Sequence, residues 1–267
     1  MGSDLKMLTN ERPPRRSRPK RPHAVILAGG KGTRLAPLTT VLPKPLMPLG
    51  EGPIVDVLLR QLAVQGWREV TLAVGHMANL IRAYCGNGSR YGLKIRYLEE
   101  EEALGTVGPL AFLPPAARQR PVLVMNGDLL TSLKFTDLVA AHVASGATAS
   151  IAVQRRDVQM EFGVMDLGEP SGDTRQILNY REKPLLEATV SMGVYVFEPE
   201  AVDLIEPGLR LDLPELVLRL LERGDKVAGY PFDGYWLDIG RHSDYQKALD
   251  DYEQMKHALL APSEAMR

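Results

Sequence analysis

Apolar residues recur along the chain with two different periods, and the switches between them mark out the elements. Ala24-Val25-Ile26-Leu27-Ala28 is a short, partly β-branched run stopped by Gly29 and Gly30, the pattern of a buried strand in a parallel sheet. Ile54, Val57, Leu58 and Leu62 then fall at helical spacing, and Gly66 supplies a stop. Residues 70–74 predict a second strand, 79–84 a short helix, and 93–97 a strand that leads into four consecutive glutamates at 99–102. Residues 121–125 are the next buried strand, ending in Asn126-Gly127-Asp128. A helix over 136–145 closes with Gly146, and 147–153 is again a strand.

The second half is richer in strands. Residues 162–165, 177–180 and 190–197 are short segments set apart by Gly, Pro, Asp and Ser, which suggests a mixed sheet on one side of a cleft. Asp212, Pro214 and Glu215 form a helix start with a capping box, for a helix that runs to about residue 223. The last helix covers about 243–260. Strand alternating with helix predicts an α/β fold, a three-layer α/β/α sandwich around a mostly parallel mixed sheet. One domain over 23–267 accounts for the pattern, with a first half at about 23–130 and a second at about 131–240.

Charge adds an arm to this picture. The net charge is −1, but residues 1–22 carry +5 and the remainder −6. Four prolines in the arm predict a disordered basic tail. Nucleic-acid binding is not expected, because the arm has no aromatic residue for stacking and the body is acidic. No apolar run reaches the length of a membrane span and the N-terminus lacks a signal h-region, so a cytoplasmic protein without a membrane partner is expected. The one cysteine, Cys85, reads as a small buried residue at a helix end.

The chemistry concentrates where the first strand ends. Gly29, Gly30 and Gly32 let backbone N–H groups approach phosphate oxygens, while Lys31, Arg34 and Lys44 supply charge. Arg34 can grip a phosphate bidentately and Lys44 is a mobile point charge. The loop lacks the third glycine of a dinucleotide fingerprint, with Pro37 where a helix should be under way, and it is not a Walker loop. Ligands in such sheets lie at the carboxyl ends of the strands, so the loop and Asp128 should share one edge.

The string from Ala24 through Pro43-Lys44-Pro45 to Gly50 resembles the signature of the sugar-1-phosphate nucleotidyltransferases, or nucleotide-sugar pyrophosphorylases. The resemblance is to the short form without a C-terminal β-helix, closest in pattern to mannose-1-phosphate guanylyltransferase-like members. It implies the nucleotide-diphospho-sugar transferase fold, a homo-oligomer, Mg²⁺ as cofactor, and a nucleoside triphosphate and a sugar 1-phosphate as substrates. It further implies nucleotide binding by Leu27, Ala28, Gly29, Gly30, Gly32, Thr33, Arg34 and Lys44, with Arg34, Lys44 and Asp128 catalytic and Asp128 and Asp238 on the metal. Gly105 and Thr106 in Leu104-Gly105-Thr106-Val107-Gly108 resemble the segment that borders the base, and Glu100 aligns with the base-reading position. Leu104 to Pro109 is expected to open a helix. A carboxylate at 100 accepts the N1–H and N2–H donors of guanine as a pair, which favours GTP over uridylyl, thymidylyl or cytidylyl transfer. Glu182-Lys183-Pro184 resembles the element that takes sugar hydroxyls and the sugar phosphate, with Asn126, Gly163 and Gly193 beside the sugar. Ser191-Met192 departs from the usual Asn-Ala there. A regulatory subunit would be expected to have lost Arg34, Lys44 or Asp128, and a metal-dependent glycosyltransferase to show Asp-x-Asp where Asn126 stands.

Overall fold

The structure, a computed structural model, describes residues 21–100 and 102–260. Most of the predicted basic arm, and Glu101, therefore lie outside the described residues. In chain order the strands are β1 (His23–Ala28), β2 (Pro48–Leu49), β3 (Gly52–Pro53), β4 (Glu69–Val74), β5 (Lys94–Glu99), β6 (Val122–Asn126), β7 (Leu129–Thr131), β8 (Ala149–Gln159), β9 (Val164–Ser171), β10 (Thr174–Arg181), β11 (Leu185–Phe197), β12 (Val227–Pro231) and β13 (Trp236–Asp238). The helices are α1 (Ile54–Val64), α2 (Ala78–Cys85), α3 (Pro115–Arg118), α4 (Phe135–Ser145), α5 (Pro199–Val202), α6 (Leu213–Glu222) and α7 (His242–Leu260).

Seven strands form the central sheet in the order β12-β8-β11-β6-β1-β4-β5. β6, β1, β4 and β5 are parallel, and β11 runs antiparallel to both β6 and β8. The alternation along β1 explains the layers. Ala24, Ile26 and Ala28 enter a core shared with α1, α2 and α4, whereas Val25 enters the core on the opposite face with α5 and α6. A third cluster, built around Leu35, Met47, Ile54, Leu237 and Tyr252, seats α7 against α1 and the segment after the glycine loop. α6 has the capping box read from sequence, Asp212 with Glu215, and Gly146 ends α4 at φ 60°. Cys85 is buried at the last position of α2. Among the described residues no helix is long and apolar enough to cross a membrane.

Two expectations are corrected. Residues 104–109 do not open an α-helix; a turn with Gly105 at φ 78° leads to a 3₁₀ turn over Gly108–Phe112. Pro109, Pro114 and Pro115 remove the amide donors that a longer helix would need there, and the backbone of 104–107 bonds to 211 and 212 instead. Residues 162–165 and 177–180 do not join the mixed sheet either. Among the described residues β9 and β10 pair only with each other, as a two-stranded ribbon. Asp166, Glu169, Asn179 and Arg181 interrupt the apolar positions of these strands, so neither strand offers the continuous apolar run of an interior strand. β11 alone of the three segments enters the central sheet.

Candidate active site

β1, β4, β5 and β6 end at one edge of the sheet, and a cavity of about 430 Å³ opens there, a size in the range of small-molecule sites. Leu27, Ala28, Gly29 and Gly30 form its floor at the end of β1, and Gly32, Thr33 and Arg34 continue along the loop. Lys44 enters from a 3₁₀ turn after Pro43 and is only 9% exposed. Asn126 and Asp128 close the side at the end of β6. The Gly127 N–H donates to the Leu27 carbonyl at 2.8 Å, which ties the β6 turn to the end of β1.

Charge is organised around Asp128. Lys44 Nζ donates to Asp128 Oδ2, while Asp128 Oδ1 is buried with no hydrogen-bond partner among the described residues. β13 pairs with β7 so that Asp238 stands opposite Leu129, and the Ile239 N–H donates to the Asp128 carbonyl at 3.1 Å. Burial first, and then the negative charge of Asp128, raise the Asp238 carboxyl above the ordinary aspartate range, with Lys44 and Arg34 pulling it back. Two carboxylates and two cations thus face one another. The last helix is capped through Asp244, which accepts the Arg241 N–H at 2.8 Å. Among the described residues no three His, Cys, Asp or Glu side chains gather as a metal centre. The buried, unpartnered Oδ1 and the neighbouring Asp238 fit a hard cation whose remaining ligands come from substrate phosphates and water, which is how Mg²⁺ is usually held.

Glu100 covers the far side of the loop. A Cβ at position 29 would stand 3.1 Å from Glu100 Oε2, so glycine there makes room for the carboxylate. Glu100 Oε1 accepts the Leu104 N–H at 3.3 Å. Burial raises its carboxyl above the usual glutamate range, and the Leu104 bond partly offsets this. Gly105 and Thr106 line the same wall. Arg210 and Asp212 line it too, and sequence reasoning missed them. Asp212 had been legible only as a helix cap.

The predicted sugar-side residues are placed differently. β8 and β11 continue past the carboxyl edge of β6 as an exposed antiparallel pair, and the β9–β10 ribbon is inserted at its tip. Glu182 and Lys183 sit at this tip, outside the cavity lining. Tyr180 Oη donates to Glu182 at 2.6 Å, and a Cβ on Gly163 would stand 2.3 Å from the same Oη. The structure therefore joins Gly163 and Glu182 through Tyr180, a residue with no sequence signal of its own. The Lys183 carbonyl accepts from Gln159 Nε2. Lys183 itself has φ 42°, in the left-handed region that non-glycine residues seldom occupy. Gly193, at φ 73° in an irregularity of β11, lies against Asn126: a Cβ there would be 2.6 Å from Asn126 Nδ2. The bulge is anchored by Trp236 Nε1, which donates to the Met192 carbonyl at 2.9 Å.

Residues 23–255 match the family described as Nucleotidyl transferase. The UTP–glucose-1-phosphate uridylyltransferase of Synechocystis is 33% identical over 244 residues, 85% of this chain and 62% of the relative. The mannose-1-phosphate guanylyltransferase of Mycobacterium tuberculosis is 33% identical over 248 residues, 91% of this chain and 67% of the relative. The chain thus spans a little under or about two thirds of the length of these curated relatives. A crystal structure from Bacillus anthracis, assigned as a glucose-1-phosphate thymidylyltransferase and determined with sucrose, shares the fold with TM-score 0.69 at 24% identity, covering 86% of this chain and 94% of that one.

Proposed function

The chain belongs to the nucleotidyl transferase family, and from that premise we propose that it transfers a nucleotidyl group from a nucleoside triphosphate, GTP favoured, to a sugar 1-phosphate. The observation that carries the proposal is the convergence of the glycine loop, Arg34, Lys44 and Asp128 on one cavity at the carboxyl edge of a parallel sheet. A phosphate oxygen of the sugar phosphate attacks the α-phosphorus, a new P–O bond forms, and the bond to the leaving pyrophosphate breaks. The attacking oxygen is already ionised at neutral pH, so no side-chain base or covalent nucleophile is needed. Catalysis then consists of holding two polyanions in line and offsetting their charge.

Each residue has a part in that task. The loop amides, Arg34 and Lys44 hold the triphosphate, and Lys44 exchanges Asp128 for a phosphate when the nucleotide enters. Asp128 and Asp238 would hold Mg²⁺, which, when bound, supplies charge withdrawal from the α-phosphate. Glu100 meets the base beside Gly105 and Thr106. Glu182 accepts from sugar hydroxyls and Lys183 offsets the charge of the sugar phosphate, with Gly163, Tyr180 and Gly193 shaping the approach. The guanylyl preference rests on Glu100, whose carboxylate matches the paired donors of guanine. A non-catalytic sensing role is disfavoured, because Arg34, Lys44 and Asp128 are all present and gathered at the cavity. Pyrophosphate release measured across a matrix of nucleoside triphosphates and sugar phosphates tests the reading. A rate with GTP and at least one sugar 1-phosphate is expected, and silence across the matrix would overturn it.

A further inference from the structure

Segments 104–107 and 210–213 lie more than a hundred residues apart and are fastened together by a run of hydrogen bonds. The Leu211 N–H donates to the Leu104 carbonyl at 2.9 Å, and the Val107 N–H to the Leu211 carbonyl at 3.1 Å. The Thr106 N–H donates to Asp212 Oδ1 at 2.9 Å, and Thr106 Oγ1 accepts the Leu213 N–H at 2.6 Å. Position 105 must be glycine for the two to close: its φ is 78°, and a Cβ would stand 2.4 Å from the Leu211 carbonyl oxygen. Asp212 thus caps α6 and holds the turn beside the base at once. Arg210 is carried to the cavity wall by this clasp, with Asp212 and Glu100.

The chemistry of that wall is ordered. Glu100 is joined through Leu104 to Leu211 by two successive hydrogen bonds, and Arg210 is the next residue. A carboxylate and a guanidinium therefore line one pocket. Guanine presents two donors, N2–H and N1–H, followed by two acceptors, O6 and N7, along adjoining edges. Adenine puts an acceptor at N1 and a donor at N6, the reverse of what this pair asks. Uracil and thymine offer one donor and O4 but have no counterpart of N2–H or N7. Arg210 Nη2 donates to Asp212 Oδ2 at 2.8 Å, which leaves the other donors of the fork to a ligand. Its side chain is 69% exposed, and an ion pair so open to water contributes little. Swinging the guanidinium onto a base therefore costs little.

We propose that Arg210 is a base-selecting residue that reads O6 and N7 of guanine while Glu100 takes N1–H and N2–H, with Asp212 as its positioning residue. The inference rests on the guanylyl reading and extends it to a second edge of the base. Its test is equilibrium binding of GTP, ITP, 7-deaza-GTP and UTP with Mg²⁺, measured by calorimetry on the whole chain without sugar phosphate. The wild type should bind 7-deaza-GTP, which lacks the N7 acceptor, roughly 5- to 20-fold more weakly than GTP, the loss expected for one arm of a bidentate contact. In Arg210→Ala that ratio should fall to about 1, with UTP affinity little changed. Arg210→Lys should lower the ratio without abolishing it, because an ammonium can still donate to N7 but lacks the planar fork. Asp212→Asn, which preserves the helix cap, should lower the ratio part of the way. Equal wild-type binding of GTP and 7-deaza-GTP, with ITP and UTP still weaker, would overturn the role of Arg210 and leave Glu100 standing. So would a ratio retained in Arg210→Ala. Tighter wild-type binding of UTP than GTP would instead overturn the guanylyl reading itself.

Discussion

The loop that follows β1 and the ribbon of β9 and β10 both carry residues assigned to a substrate, yet they are held on opposite terms. The chain after β1 runs from exposed Gly30, Lys31, Thr33 and Arg34 to Leu35, which is buried in the third cluster under α7, and on to Lys44, which is 9% exposed. The Lys44–Asp128 pair is therefore in place before any ligand arrives, the arrangement that stabilises a developing charge at least cost. In the ribbon every residue of β10 is exposed, and Phe162 beside it is 76% exposed. A pair of strands without a covered apolar face has marginal stability of its own. The difference teaches that the side assigned to the nucleotide is anchored through Lys44 and Leu35 in the body, whereas the side assigned to the sugar is positioned by local devices: the Tyr180–Glu182 bond, the β11 bulge at Gly193 and the left-handed Lys183.

The sharpest way to break this comparison is Asp128→Asn. Asparagine keeps the volume and one acceptor but removes the charge that faces Lys44 and Asp238. Turnover should fall by about three orders of magnitude or more, as for loss of a preorganised group at a charged transition state, and the thermal midpoint should move by only a few degrees. Chelation by EDTA should have the same effect on activity. A variant that keeps its rate at saturating Mg²⁺ would show that the loop side is not where charge is offset.

How far each region could be read beforehand follows from the range of its interactions. Gly29, Arg34 and Lys44 were legible because the loop's chemistry sits in one short stretch after a strand of clear apolar pattern, and Asp128 because it follows a second such strand. Asp238 needed the motif, since nothing local announces that β13 will pair with β7. Arg210 was illegible. Its place depends on bonds between 104–107 and 211–213, and the signal at Asp212 was fully explained by a helix cap. The ribbon strands were expected in the mixed sheet because Gly, Pro, Asp and Ser mark where short strands end but do not say whether a strand will find a helix to cover it. The helix expected at 104–109 failed for the complementary reason, that prolines and a left-handed glycine outweighed a favourable start.

Stability should divide along the same line. Leu62 is fully buried against the core beneath α1, and Leu62→Ala should cost about 2–5 kcal/mol. Ile177→Ala in the ribbon, at a side chain 56% exposed, should cost less than about 0.5 kcal/mol. Denaturant midpoints check both, and a large loss at Ile177 would mean that the ribbon is covered in solution.

Proton linkage should likewise reside in the body. His23 starts β1 with its ring buried, Nε2 at 2.8 Å from Thr71 Oγ1 and Nδ1 at 3.1 Å from Arg120 Nη2. Arg120 can only donate, so Nδ1 accepts and Nε2–H donates to Thr71. Burial, helped by Arg120, lowers the imidazolium pKa to about 4. Below about pH 6.5 the unfolded chain then binds a proton that the folded chain refuses, so this contribution is complete at neutral pH. It is lost as pH falls from about 6.5 to about 4, by up to about 3 kcal/mol. His23→Gln should flatten that part of the stability profile, and an unchanged slope would assign it to other groups.

The smallest expected effect asks the most of the ribbon. Lys183 occupies a left-handed conformation directly before Pro184, and a side chain there costs about 1 kcal/mol relative to glycine. If the lysine serves only as part of a solvated turn, nothing compensates that cost. If it holds the sugar phosphate, the strain is kept for function. Lys183→Gly separates the two, because it relieves the backbone while removing the ammonium. Stability should rise by about 1 kcal/mol or less, while the apparent KM for the sugar phosphate rises roughly 10- to 100-fold and that for the nucleotide stays within about 2-fold, the pattern of a contact made to one substrate only. Lys183→Ala should reproduce the KM change without the gain in stability. A Lys183→Gly variant that is more stable and equally active would make the motif a turn, and the sugar side would then have to be sought nearer Asn126 and Gly193, where β11 bulges against the cavity wall.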